Sequence, residues 1–390
     1  MNNKEKHALI VAGEASGDIH GANLVRALKR LDPDLKIKGI GGKYMADAGV
    51  EILVSASDMA VVGLTEVFTR LHVLIQAYRK LKFILKHNRP GLLILIDYPE
   101  FNISLARIAN RLGVPVLYYI SPQVWAWRQT RVKKIARRID RMAVILPFEK
   151  DFYDEKGVNV DYVGHPLLDS IPEFNDKEAV LKDLGLKNQY PIIGLLPGSR
   201  TEEVNRLLPL MIESVEMLAP YYTNMQCVLP LASTISPDLV QTIIKKSSVL
   251  VKVLQKDIYR ILSVCDLALV ASGTATLETA VMEVPMVIIY KVSPISFWIG
   301  KKVIKVPYAG LPNLVAGEMI VPELIQEEVT PHRLAQEVQA ILNDDQRKAR
   351  IIERLRIIRE NLGAGGASEK TARIAIDMID RHLQSSFSNP

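Results

Sequence analysis

The chain has 390 residues, of which 48% are hydrophobic and 24% charged, with a formal net charge of +6. That length carries two ordinary domains with full cores, and the composition is that of a soluble globular protein. Its two cysteines, Cys227 and Cys265, sit in apolar segments without CxxC or histidine-spaced partners, which excludes a zinc site and fits buried thiols in a reducing compartment.

At the N-terminus Lys4 and Lys6 precede an apolar run over 8–12 that is too short for a signal core. No stretch approaches the ~20 apolar residues that span a bilayer. The expected location is therefore the cytoplasm, or the cytoplasmic face of the membrane. The positive balance suits nucleic acid, anionic lipid or phosphorylated substrates, but the chain holds no nucleic-acid motif and no internal repeat.

The first half alternates short β-like runs with helical stretches. Residues 8–12, 36–40, 92–96, 114–120, 142–146 and 159–163 are almost continuously apolar and predict a parallel sheet covered on both faces. Helical patterns such as 21–31 and 102–112 lie between them, giving a doubly wound α/β domain. A polar, Pro-containing segment over 166–190 follows, with a helix-like piece at 177–184. A second α/β series then places strands at 192–196, 225–229, 250–254, 267–271 and 286–290. A charged helical tail begins near Pro331, breaks at Gly363-Ala364-Gly365-Gly366 and resumes over 368–383; it leaves pairing between subunits, a homo-oligomer, open.

The loops after the predicted strands hold the chemistry. GEASGD (13–18) follows the first strand and opens a helix, but it lacks GxGxxG spacing and no acid closes the second strand, which disfavours NAD. It reads either as a tight turn capped by Ser16 or Asp18, or as a substrate-facing loop containing Gly13 and Ser16 and backed by Gly39, Gly41 and Gly42. Asp97 ends the apolar strand 92–96, and Pro99 stops that strand. A carboxylate there points from the sheet edge toward a cleft, where desolvation raises its pKa and makes it a better base. The bland alternative is a cap for a helix near Asn102; Glu100 is a weaker candidate base.

SPQVWAWR (121–128) sets Trp125 and Trp127 close together, to pack on an acyl chain or sugar face or to fill the core. Beyond them Arg128, Arg131, Lys134 and Arg138 share one helical face opposite Val132, Ile135, Ala136 and Ile139. That face suits a phosphate, anionic head groups or plain solvent. Residues 64–85 form an amphipathic helix through Leu64, Val67, Phe68 and Leu71, with Arg70, Arg79, Lys80, Lys82 and Lys86 around it. It is core-facing by default, or a surface that dips into a membrane. Residues 297–302, FWIGKK, are a second apolar-basic patch. His20 and His165 are lone histidines, more often structural than catalytic. Asp32-Pro33-Asp34 precedes a strand, so this DxD is a turn and no essential metal is expected.

In the second half, LLPGSR (195–200) and SGTATLE (272–278) each turn from a strand end through small residues into a helix. Backbone N–H groups around Gly198, Ser199, Ser272, Gly273, Thr274, Ala275 and Thr276 then point outward at helix N-termini, where the dipole favours an anion. Arg200 adds a planar fork of donors for phosphate. Glu278, one turn into the second helix, offers a carboxylate to sugar hydroxyls. The pair reads as a nucleotide diphosphate site split over two loops.

In this order GEASGD, VVGLTEV (61–67), IDYPEFN (96–102), SPQVWAWR, LPFEK (146–150), GHP (164–166), LLPGSR, SGTATLE and LPNLVAG (311–317) resemble the lipid-A-disaccharide synthase family of bacterial glycosyltransferases over nearly the whole chain. The resemblance implies a GT-B fold, two doubly wound Rossmann-like domains facing across a cleft. Residues 1–168 would be the acceptor and membrane-facing domain, with a C-terminal helix at about 367–385 packing back on it, and 169–366 the UDP-sugar-binding domain. It implies inverting transfer from UDP-2,3-diacylglucosamine to 2,3-diacylglucosamine 1-phosphate, giving a β-1,6 disaccharide 1-phosphate and UDP, with no cofactor. It further implies peripheral association with the inner face of the cytoplasmic membrane. Asp97 becomes the leading general base, Arg200 serves the UDP half, and Glu278 and Asn313 line the same pocket. Trp127, Arg128, Arg131, Val67, Phe68 and Leu71 become candidates for the acceptor phosphate or lipid. Tyr98 departs from the family's small residue after the strand Asp. The rivals are a UDP-N-acetylglucosamine 2-epimerase or a lipid II-type glycosyltransferase on the same fold, and a non-catalytic lipid- or nucleotide-binding protein.

Overall fold

A computed structural model describes residues 6–59, 66–127, 131–172, 174, 176–304 and 306–388. The chain forms two compact units, Met1–Asp169 with Leu362–Pro390, and Ser170–Asn361.

The first unit is built on β1 (His7–Ala12), β2 (Lys36–Gly41), β3 (Glu51–Ser55), β4 (Leu92–Ile96), β5 (Val116–Tyr119), β6 (Arg141–Val144) and β7 (Val160–Tyr162), in spatial order β3-β2-β1-β4-β5-β6-β7. All pairings are parallel. The order reverses between β1 and β4, where Ala12 pairs with Ile96. Such a reversal opens a crevice outside the carboxyl ends of the strands. β4 is apolar at every position because helices cover both of its faces, and none of its residues is exposed. Leu93 and Leu95 pack in one core with Ala77, Leu81 and Leu85 of the helix Glu66–His87 and Leu105 and Ala109 of the helix Pro99–Arg111. The other face carries the helices Ala15–Leu31 and Ala367–Ser388, which touch each other. Ala372, Ala375 and Ile379 are buried there. Asp169 fastens the start of the C-terminal helix, accepting from the Gly366 N–H at 2.6 Å and the Ser368 N–H at 3.2 Å.

Three expectations change. The first helix begins at Ala15 and runs through Gly17 and Gly21, of which Gly21 serves close packing inside it: a Cβ there would lie 2.6 Å from Met45 Sδ. β3 is an extra edge strand, exposed at Glu51 and half-buried beyond it, so its pattern is too weak to mark it. The basic helix after SPQVWAWR resolves into the short helices Val124–Trp127 and Val132–Ala136. Arg131 is the N-cap of the second, and Arg138 lies beyond its end, donating to the Ile103 carbonyl at 3.1 Å. Arg131, Lys134 and Arg138 therefore do not share one continuous helical face.

The second unit repeats the winding with β8 (Ile192–Leu196), β9 (Gln226–Pro230), β10 (Val251–Leu254), β11 (Leu267–Ala271), β12 (Met286–Tyr290) and β13 (Glu323–Ile325), in order β10-β9-β8-β11-β12-β13 and all parallel. Its reversal lies between β8 and β11. β13 is short and begins on a buried glutamate, which hides it from an apolar-run reading.

Candidate active site

In each unit the loops singled out in the sequence leave the strands that flank the reversal. Gly13 follows β1 and Asp97 follows β4; Gly198 follows β8 and Ser272 follows β11.

β4 ends in two consecutive left-handed residues, Asp97 at φ 45° and Tyr98 at φ 46°. Outside glycine such a conformation costs about 1–3 kcal/mol per residue and persists only where neighbours hold it. The Asp97 carbonyl accepts from Asn102 Nδ2 and from the Tyr118 hydroxyl, each at 2.6 Å. Asn102 Nδ2 also reaches the Ile96 carbonyl at 3.1 Å. These bonds use the backbone and leave the carboxylate free of capping duty, since the helix Pro99–Arg111 starts on Tyr98 with no side-chain cap. Burial first, then the nearby Glu14 carboxylate, push Asp97 up to about 6, while the Tyr98 backbone N–H pulls it down. The group is ionised at neutral pH and basic enough to accept a hydroxyl proton. Glu100 is exposed and paired with Arg131, which sets it apart from that task.

Gly13 is fixed by Tyr98: a Cβ there would stand 2.5 Å from the ring's Cγ. Ser16 is exposed in the first turn of its helix rather than capping it. Asp18 does cap, but the wrong helix for the expectation. Its carboxylate accepts from the backbone N–H groups of Gly42, Tyr44 and Met45 at 2.7, 3.0 and 3.1 Å, so it holds the start of Lys43–Asp47. A Cβ on Gly42 would meet that carboxylate at 2.5 Å.

Beyond β5, Trp125 is buried, donates from Nε1 to Glu149 at 2.9 Å and meets Phe148 edge-on at 4.9 Å. It fills core rather than facing a ligand. Residues 61–65 and Arg128, with the side chains of Val67, Phe68, Leu71 and Trp127, lie outside the described residues. His165 Nδ1 accepts from the Leu167 N–H at 3.2 Å. Burial pushes His20 down to about 4 and His165 down to about 3, so both are neutral.

In the second unit Gly198 has φ 108°, and a Cβ on it would press against Glu203. Arg200 is the N-cap residue of Thr201–Leu218; its side chain is 83% exposed and contacts Glu203 at 3.1 Å. Gly273, at φ 154°, opens the helix Thr274–Val281 with nothing crowding it, and Thr274 is exposed beside it. Ser272 and Thr276 are engaged internally: their hydroxyls donate to the Ala309 and Gly273 carbonyls, both at 2.7 Å. Their backbone N–H groups are engaged as well, donating to the Ile289 and Gly273 carbonyls at 2.8 and 3.1 Å, so, against the expectation, neither points outward to an anion. Glu278 is pushed up by burial and then by Asp257, and held down by a bond from Tyr259.

Asn313 is tied by its side chain to the segment 320–323. It is fully buried; Nδ2 donates to the Val321 carbonyl and to Glu323, and Oδ1 accepts from the Ile320 and Val321 N–H groups. Glu323 also accepts from the Ala309 and Gly310 N–H groups at 2.7 and 2.9 Å. A continuous chain of bonds thus runs from Asn313 through Glu323 and Ala309 to Ser272. Sequence reasoning missed Glu323 and Glu149, which draw donors from other loops, and it met Asn102 only as a helix start, whose side chain bonds back to the carbonyls of its own loop; for Glu14 the signal was its place inside GEASGD.

A family model described as lipid-A-disaccharide synthetase matches residues 8–375. The chain is 49% identical to the lipid-A-disaccharide synthase of Geobacter metallireducens, over 96% of this chain and 98% of that one. It is 41% identical to that of Coxiella burnetii, over 97% and 100%. Among solved structures, UDP-GlcNAc 2-epimerase from Neisseria meningitidis bound to UDP-GlcNAc matches at TM-score 0.66 and 13% identity, covering 95% of this chain and 100% of that one. Acinetobacter baumannii MurG matches at TM-score 0.59 and 15% identity, covering 95% and 99%. These two share the fold, two parallel-sheet α/β units of GT-B type.

Proposed function

The chain belongs to the lipid-A-disaccharide synthase family, and from that premise we propose how its residues divide the work. The reaction is glycosyl transfer that builds the lipid A disaccharide. UDP-2,3-diacylglucosamine supplies the sugar, 2,3-diacylglucosamine 1-phosphate receives it, and UDP departs. Forming a β-linkage from an α-linked donor inverts the anomeric carbon in one in-line displacement. The acceptor 6-hydroxyl forms the new C–O bond, its proton passes to the Asp97 carboxylate, and the electron pair of the broken bond leaves on UDP. Arg200 and the N–H groups around Gly198, Ser199, Gly273, Thr274 and Ala275 receive that charge. Glu278 accepts from sugar hydroxyls, and Asn313 with Glu323 positions Ser272. The first unit takes the acceptor, with Gly13 and Ser16 in its loop and Arg131 near the phosphate, and the second takes the UDP-sugar.

Each buried methylene of an acyl chain holds a lipid to a bilayer by ~0.8 kcal/mol, so the substrates stay there and the enzyme comes to them. On the helix Glu66–His87, Ile75 and Phe83 are 42% and 60% exposed beside exposed Arg79, Lys82 and Lys86. On the helix Pro294–Val303, Trp298 is 62% exposed beside Lys301. Apolar side chains ringed by cations suit peripheral contact with the anionic inner face of the cytoplasmic membrane. No helix among the described residues is long and apolar enough to cross a membrane.

The observation that carries the mechanism is the desolvated Asp97 carboxylate at the strand reversal, freed from capping by bonds to its own carbonyl. The test is incubation of the purified protein with the two diacyl sugars, followed by mass spectrometry of the lipid product. A tetraacyl disaccharide 1-phosphate with equimolar UDP supports the reading. No lipid product, or epimerisation of UDP-N-acetylglucosamine alone, overturns it.

A further inference from the structure

We propose that Glu149 is a positioning residue that holds the turn after β5 in the shape that receives the acceptor. The proposal rests on the reading that the first unit takes the acceptor.

Glu149 is 2% exposed, in the first turn of the helix Pro147–Asp154. One carboxylate oxygen accepts from the Ser121 hydroxyl and from Trp125 Nε1. The other accepts from the backbone N–H groups of Ile145 and Leu146 at 3.2 and 3.0 Å. Among the described residues no cation pairs with it. Two of these donors belong to its own strand-to-helix turn, and two come from the turn after β5. Tyr153, one turn further along the same helix, donates to the Pro122 carbonyl at 3.0 Å. The helix therefore grips the neighbouring turn at Ser121, Pro122 and Trp125.

A buried carboxylate is a costly way to fill space. Well-packed apolar residues of similar volume usually serve stability as well or better, so geometry is the natural reason for a buried acid. The geometry it fixes is strained. Ile120, immediately before Ser121, sits at φ 62°, a left-handed conformation that costs a β-branched residue about 1–3 kcal/mol and must be over-determined by its surroundings. The adjacent strand ends in the same way at Asp97 and Tyr98, and Ile96 pairs with Tyr119 across the two strands. Past the turn, Arg131 pairs back onto Glu100 in the loop that carries Asp97. Two strained strand ends thus lie side by side. One holds the proposed base, and Glu149 locks the other.

Glu149→Gln keeps the volume but points amide hydrogens at donors. The expected result is an acceptor KM raised about tenfold to a hundredfold, with donor KM and UDP affinity within about twofold. Ser121→Ala removes one cross-loop donor and leaves the Ile145 and Leu146 bonds in place, so it should give the same selective loss in smaller measure. The Trp125 indole 1H–15N resonance, set by the carboxylate it donates to, should move in Glu149→Gln. In the wild type it should respond to 2,3-diacylglucosamine 1-phosphate but not to UDP. A folded Glu149→Gln or Ser121→Ala protein with unchanged acceptor KM overturns the proposal, as does equal loss for donor and acceptor. Failure of the wild type to form disaccharide strikes the functional reading instead, while the indole resonance still reports acceptor binding.

Discussion

Replacing Asp97 with Asn should make the protein more stable and nearly inactive. In the folded chain Asp97 titrates at about 6 against an ordinary 3.8. A raised acid means that the folded state holds the proton more tightly, so stability falls as pH rises from 3.8 through 6. The difference of about two pH units corresponds to at most about 3 kcal/mol at ~1.4 kcal/mol per unit, and this cost is fully present above pH 6. Asn carries no charge and tolerates left-handed φ better than most residues. The bonds from Asn102 and Tyr118 go to the carbonyl and survive the change. D97N should therefore melt higher at pH 7.5, by about 2–4 °C per kcal/mol for a unit of this size, with the gain vanishing near pH 4. Turnover should drop about 10²–10⁴-fold, the usual contribution of a general base. Wild-type kcat/KM should rise with pH through about 6, a limb that D97N lacks. Calorimetry at both pH values and an assay of UDP release test all of this. A D97N protein that is less stable than wild type, or that turns over within tenfold of it, would refute the reasoning.

Arg200→Ala should leave stability within about 0.5 kcal/mol, because the side chain is 83% exposed. UDP affinity by calorimetry should fall about tenfold or more. Asn313→Ala strips partners from the 320–323 segment and should lower the melting point as well as UDP affinity, a double loss that separates it from Arg200→Ala. Gly13→Ala should displace the Tyr98 ring and cut turnover with UDP affinity kept; adding Tyr98→Ala should restore much of the loss. His20 and His165 titrate lower folded than unfolded, so the unfolded chain binds more protons between pH 6.5 and about 4. Urea midpoints should fall as pH drops through that window, and His20→Leu should flatten the slope.

The strands that were legible are those with local signals. LLILI, IIGLL and LALVA are buried at every position and end at small or conformation-breaking residues. β3 and β13 were not legible, because one is a half-buried edge and the other a short strand led by a glutamate. Asp97 stood out in the sequence because its setting is contiguous: an apolar strand, then an acid, then a proline two residues on. Glu149 and Glu323 did not, because an acid next to apolar residues reads as surface until the donors that enclose it arrive from another loop. Asn313 shows the converse, a polar residue in a loop motif whose hydrogen bonds all close inward.

The helix Ala367–Ser388 belongs to the first unit but is synthesised after the whole of the second. Until it emerges, the groove beside Gly91 that Ile379 fills stays open to water. On the ribosome the later unit can thus finish first. The unit begun earliest is completed only when this late segment has cleared the exit tunnel.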